Sequence, residues 1–242
     1  MAVSGDTIAV GDSFEQSSGR GINGPDADSA SPVSGAVYVY RRVGGQWLQE
    51  AFIKSANSDP GDRFGEPVDL QGDQLVVGAA GEASGVPADP ADNSRPGAGA
   101  VYVFRRTATT WAQDGYLKSS VPEEGDFLCM AETFGDLVVA GAYGEDSAVP
   151  GVDGDPTNNA ATESGAAFVF QRGAGWTLRA YLKASNPGPL DHFGIAMSLG
   201  PDALVIGAPQ EDGPGQGIDP GDQGDVPPVS EAADNGAAYV FR

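Results

Sequence analysis

One short pattern occurs four times in this chain, about 65 residues apart, and it restricts the fold more than any other feature. Gly5–Gly11, Gly72–Gly78, Gly135–Gly141 and Pro201–Gly207 each set an Asp five residues ahead of a Gly, with an aliphatic run between them. A second block recurs as Gly35–Tyr40, Gly99–Phe104, Gly165–Phe170 and Gly236–Phe241. A third runs from Trp47 to Lys54, Trp111 to Lys118 and Trp176 to Lys183, with Phe52, Tyr116 or Tyr181 two residues before the lysine. A fourth runs from Phe64, Phe127 and Phe193 to the glycines at 78, 141 and 207, a spacing of 14 each time. Self-similarity at a fixed period is the mark of a repeat architecture.

Each repeat offers four strand candidates: after the Phe, along the Leu-Val-Val-Gly run, along the Ala-Val-Tyr-Val-Phe run, and from the Trp onward. β-branched and aromatic residues suit a pleated, half-buried surface, and Gly-Asp is tight-turn chemistry. The chain carries 36 Gly and 18 Pro, and no long segment free of both shows helical periodicity; Gly and Pro interrupt helix interiors. The expectation is an all-β chain, one β-propeller domain over residues 1–242, with blades at about 1–61, 62–124, 125–189 and 190–242. A small sheet cannot bury a core alone, whereas stacked blades can. The aromatic residues are the natural filling between blades.

Phe64-Gly65 and Phe193-Gly194, followed at fixed spacing by Gly78-Ala79-Ala80 and Gly207-Ala208-Pro209, resemble the FG-GAP repeat, and the likeness covers the whole chain. That repeat builds the propeller of integrin α subunits and of many bacterial extracellular proteins. The resemblance implies a non-catalytic binding or adhesion module at the cell surface or outside the cell, although Met1-Ala2-Val3 opens directly into a repeat with no signal peptide. Phe127 is followed by Leu128 instead of Gly, so a distorted second-to-third junction is expected; Asp12 and Tyr143 also break the Gly-Ala-Pro pattern. The family's Asp-x-Asp-x-Asp-Gly calcium loop has no counterpart here, where only the short Gly-Asp turn stands between strands 1 and 2.

The long connections between strands 2 and 3 carry a pattern of their own. Glu15, Glu82, Glu145 and Glu211 each lie four residues after the closing Gly of strand 2. Gly plus a β-branched residue follows, then oxygen-bearing side chains. Calcium takes six to eight oxygens, and Gly permits the turns that converge them. The candidate ligands are Glu15, Asn23 and Asp26; Glu82 and Asp89; Glu145, Asp146, Asp153, Asp155 and Asn158, the best of the loops; and Glu211, Asp219 and Asp222. The competing reading takes these as turn residues on a solvated loop. By strand parity the 2–3 and 4–1 connections leave from one side, so an acidic, loop-built face is expected, fit for a protein or glycan ligand.

Thirteen Lys and Arg stand against 34 Asp and Glu, a formal charge of −21. Such a field repels phosphate backbones, which excludes nucleic acid and anionic membranes as partners, and no run is long enough to cross a bilayer. The polar residues recur repeat by repeat instead of forming one catalytic constellation, so no catalytic residue is assigned: His192 reads as a turn residue, Cys129 as a buried apolar one, and Arg41-Arg42 and Arg105-Arg106 as solvated strand ends. Two other readings are a structural module of a larger surface protein and a hydrolase using paired carboxylates. The last repeat stops after strand 3 at Arg242. An open sheet edge is a site for pairing, and three arrangements fit it: a ring with one short blade, a homodimer that completes the ring, or a piece of a longer protein.

Overall fold

The computed structural model describes residues 1–212 and 236–242, and among them every regular element is a strand. The first sheet joins β1 (Ala2–Ser4), β2 (Thr7–Asp12), β3 (Ala36–Val43) and β4 (Gln46–Ile53) in chain order. The second joins β5 (Phe64–Gln71), β6 (Gln74–Ala79), β7 (Ala100–Thr107) and β8 (Thr110–Leu117); the third, β9 (Leu128–Phe134), β10 (Leu137–Ala142), β11 (Ala166–Arg172) and β12 (Trp176–Leu182). The fourth holds three strands, β13 (Ala196–Leu199), β14 (Leu204–Ala208) and β15 (Ala237–Phe241). Within the sheets all strand pairings among the described residues are antiparallel. The sheets pack in succession through their first strands, β1 and β2 on β5, β5 on β9, and β9 on β13.

Two rows of glycine explain how adjacent sheets approach. A side chain at Gly11, Gly78 or Gly141 would run into the carbonyl of Gly65, Cys129 or Gly194 in the next sheet. One at Gly35, Gly99 or Gly165 would strike the main chain of Phe64, Leu128 or Phe193, and these three glycines are also left-handed, with φ of +81°, +76° and +81°. Main chain therefore lies on main chain where the sheets meet, and only Gly meets both demands. The buried Phe64, Leu128 and Phe193 then fill the space beneath, with Phe64 edge-on to Tyr102 and Phe104.

These contacts correct the sequence register at the third sheet. Leu128, not Phe127, stands where Phe64 and Phe193 stand, and Cys129 replaces Gly65 and Gly194. The physical cause is length: Asp126 lies nine residues before Gly135, whereas Asp62 lies ten before Gly72, so the constant spacing from Phe127 is coincidence. The junction keeps the same main-chain approach as the other two and is not distorted there. Phe127 aligns with Arg63 and His192, and all three are left-handed, with φ of +51° to +58°. Cys129 is buried, and burial pushes its thiol up to about 12.

A bulge recurs at one position of the outer pairings, between Val39 and Tyr40, Val103 and Phe104, and Val169 and Phe170. The residue left without a partner is Glu50, Asp114 or Arg179. A bulge re-aims its side chain. Glu50 accepts bonds from Arg106 (3.0 Å) and Trp111 (2.9 Å) of the second sheet, and Asp114 from Arg172 (2.8 Å) and Trp176 (3.0 Å) of the third. Trp111 is thereby 3% exposed, while Trp47 on the first sheet is 43% exposed. Arg106 is not the solvated strand end expected from sequence: its side chain is 7% exposed, over the Trp111 ring and paired with Glu50 and Asp73.

Candidate functional site

The connections between strands 2 and 3 and those between strands 4 and 1 meet at one end of the sheets, as the parity argument requires. Arg20 of the first long loop pairs with Asp59 at 2.8 Å, and Asn93 of the second donates to the same Asp59 at 3.0 Å. Asn57 donates to the Pro90 carbonyl, and Asn159 to Glu123 at 2.7 Å. Each of the first three long loops is thus tied to a short connection beside it.

Beneath these loops lies a buried ion pair in each of the first three sheets. Lys54, Lys118 and Lys183, the chain's three lysines, are 0%, 5% and 1% exposed. Lys54 pairs with Glu15 and donates to Ser34; Lys118 reaches Glu82 at 2.8 Å and the Gly99 carbonyl; Lys183 reaches Glu145 at 2.7 Å, Ser164 and the Gly165 carbonyl. Tyr116 and Tyr181 donate to the other oxygen of Glu82 and Glu145. Desolvation lowers the Lys118 and Lys183 pKa and raises those of Tyr116 and Tyr181, whose hydroxyls lie against the carboxylates. Each pair joins the end of an outer strand to the root of a long loop, so it holds the loop at a fixed height above the sheet.

The residues named from sequence as calcium ligands occupy these places. Glu15, Glu82 and Glu145 are the lysine partners just described. Asn23 and Asp153 lie where the first and third loops run back along the outer strands: Ile22 bridges Ile53, Val152 bridges Leu182, and the two side chains accept the Phe52 and Tyr181 amides at 2.9 Å. Asp146 accepts the Glu163 amide, Asp155 the Thr157 amide and hydroxyl, Asn158 the Ala148 and Ala160 amides, and Asp89 the Ala91 amide. Asp26 is exposed. Glu211 accepts from Asn186 at 2.6 Å, and Asp219 and Asp222 lie outside the described residues. Among the described residues no three His, Cys, Asp or Glu side chains converge as a metal ion would need.

Three features escaped the sequence reading. First, Asp62, Asp126 and Asp191 are buried at the entry to strand 1, each accepting a backbone amide of its own turn: Asp59, Glu123 and Gly188. Desolvation pushes Asp62 and Asp126 up to about 7, with Glu82 and Glu145 adding to it. Their fixed place just before Arg63, Phe127 and His192 was the available signal. Second, Tyr102 donates to Asn57 at 2.8 Å and Tyr239 to Asn186 at 2.7 Å, while the third repeat has Phe168 and Val121 at the corresponding sequence positions. Across the second, third and fourth sheets the hydroxyl and its acceptor are present together or absent together, which the aligned repeats already display. Third, one cluster has no counterpart in the other repeats. Phe127 stacks on Tyr143 at 5.3 Å, Tyr143 meets His192 edge-on at 6.1 Å, and His192 Nε2 lies 2.9 Å from Glu163. Arg63 is exposed, with its charge close enough to act on Tyr143.

A family model described as the FG-GAP repeat matches residues 47–104 and 176–241, together just over half of the chain. No curated protein matches it. Both matched stretches begin on an outer strand, β4 or β12, and end on the third strand of the following sheet, β7 or β15.

Proposed function

The chain belongs to the FG-GAP repeat family, and we propose that it is a non-catalytic binding or adhesion module whose four sheets are blades of a propeller. Its ligand, a protein or glycan outside the cell, docks on the acidic end built by the long loops. The observation that carries this reading is the anchoring of those loops. Buried Lys–Glu pairs fix their roots, Arg20–Asp59 and Asn159–Glu123 tie them across the junctions, and acids such as Asp26, Asp89 and Glu124 stay exposed. Exposed loops on a rigid scaffold carry binding. The one asymmetric cluster, from Arg63 through Phe127, Tyr143 and His192 to Glu163, supplies aromatic and charged contacts at the same end.

The test is a matrix-protein and glycan array probed with the native chain, with Asp26→Lys/Asp89→Lys/Glu124→Lys, and with the control Asp136→Lys/Asp202→Lys at the short-turn end. Binding lost only in the first variant supports the loop end. Binding lost only in the control overturns it. Calcium uptake by the loop acids is a separable part of the proposal, read by calorimetry. Heat on titration and a raised melting temperature support it, and the absence of both removes calcium while leaving the docking end standing.

A further inference from the structure

At each junction between consecutive sheets, two residues at the loop end hold a backbone conformation that glycine adopts most readily, yet five of the six carry side chains. Arg63, Phe127 and His192 follow the buried aspartates, and their amides donate to the carbonyls of Val33, Gly97 and Glu163. All six residues are left-handed, with φ from +51° to +70°. Bulky and β-branched side chains are strained there, and a turn that served only the main chain would be met by Gly. Strain kept at a surface points to a use for the side chain. The one glycine has its own reason, since a Cβ at Gly97 would lie 2.9 Å from the Phe127 ring.

These side chains gather around Tyr143. Phe127 stacks on its ring at 5.3 Å, His192 meets it edge-on at 6.1 Å, and the charges of Arg63, Glu163 and Glu66 all act on its hydroxyl. Glu163 lies 2.9 Å from His192 Nε2, and Glu66 accepts from Ser13 at 2.7 Å. Among the described residues neither the Arg63 guanidinium nor the Tyr143 hydroxyl has a hydrogen-bond or ion-pair partner. Arg63 and Glu66 are exposed, and Phe127, Tyr143, Glu163 and His192 are half-buried.

The place thus offers one free cation, two carboxylates, a free hydroxyl and two aromatic rings. A uronate or sulfate would meet both carboxylates and the field of a chain charged −21. A lysine or arginine would meet Arg63. An apolar peptide side chain would leave the polar groups without partners. A sugar hydroxyl donates and accepts at once, so it takes a bond from Arg63 or Tyr143 and gives one to Glu163 or Glu66. The rings supply apolar surface for the C–H face of a pyranose.

We propose that the cluster around Tyr143 binds a neutral glycan, with an uncharged hexose seated among Arg63, Glu66, Phe127, Tyr143, Glu163 and His192. This rests on the reading that ligands dock at the loop end, and adds the ligand class and its contacts.

The probe is an array carrying neutral glucose, galactose and mannose oligosaccharides, uronate oligosaccharides and peptides, with the neutral oligosaccharide bound best then titrated by calorimetry. Saturable binding of a neutral oligosaccharide below about 1 mM is expected. Arg63→Gly should weaken it at least about tenfold, and Tyr143→Phe at least about threefold. Both variants should keep the native urea midpoint, because neither deleted group has a partner in the protein and the glycine suits the left-handed backbone. Where Arg63→Gly fails to fold, Tyr143→Phe still decides. Preference for uronates or peptides, no neutral oligosaccharide bound, or neutral binding equal in the native chain and both variants would each overturn the proposal while leaving the loop end as a docking end. Neutral binding lost only in Asp136→Lys/Asp202→Lys would overturn both.

Discussion

Each lysine of this protein spends its charge inside, under a loop, and that makes the buried pairs sensitive to the loss of one partner. Removing one member of a buried pair leaves an uncompensated charge and costs about 3–5 kcal/mol. Lys118→Met should therefore lower stability by that amount in urea unfolding, and Lys118→Met/Glu82→Leu should recover much of it. The buried aspartates act in the other direction. Asp62 and Asp126 titrate near 7 in the folded chain against a normal 3.8, so the native state keeps protons that the unfolded state has released. Stability from this source falls as pH rises from about 4 to about 7 and is flat above, by at most roughly 4 kcal/mol per carboxyl. Urea midpoints measured across that range should show the decline, and Asp62→Asn/Asp126→Asn should flatten it. The recurrence of lysine and glutamate at fixed positions was visible in the chain, but their partnership was not. Lys118 and Glu82 are 36 residues apart, and an acid beside a Gly in a loop looks equally suited to a cation or to a lysine.

At the level of the strand and the junction, the glycines offer a matched comparison. Gly78 faces the Cys129 carbonyl of the next sheet, whereas among the described residues the equivalent Gly207 has only Ala196 of its own sheet nearby, at 3.5 Å or more. A methyl group at Gly78 must push main chain away, and overpacking of this kind costs about 1–3 kcal/mol. Gly78→Ala should lower the urea midpoint accordingly, and Gly207→Ala should leave it within about 0.5 kcal/mol. The strands themselves follow from local chemistry, with Gly-Asp turns and alternating valine and aromatic residues giving their order directly. The bulges do not, because nothing in Gln49-Glu50-Ala51 marks Glu50 as the residue that leaves the ladder. It leaves because Arg106 and Trp111 of the next sheet are placed to receive it.

Taken whole, the molecule is strongly acidic, −21 in formal charge, with its lysines withdrawn from the surface. An amine-reactive ester should therefore modify the native chain at the Met1 amine alone, and intact-mass measurement should show three further adducts only after unfolding in urea. Rapid native labelling of Lys118 or Lys183 would mean that the loop roots open in solution. The sheets succeed one another from first to fourth through their first strands. That arrangement leaves Trp47 exposed on the first sheet and Val240 exposed on the fourth, so the two ends of the array differ from its interior junctions.

The repeat by itself determined the all-β character, the strands of each unit, the order of the sheets and the end at which the long loops gather, because periodicity and turn residues act over a few neighbours and need no distant partner. Only the tertiary structure decided which residue fills each junction, that Leu128 and not Phe127 enters the one between the second and third sheets, and that the loop glutamates hold lysines. Those outcomes depend on which atoms meet after residues dozens of positions apart have been brought together, and a one-residue difference in strand length is enough to change the answer.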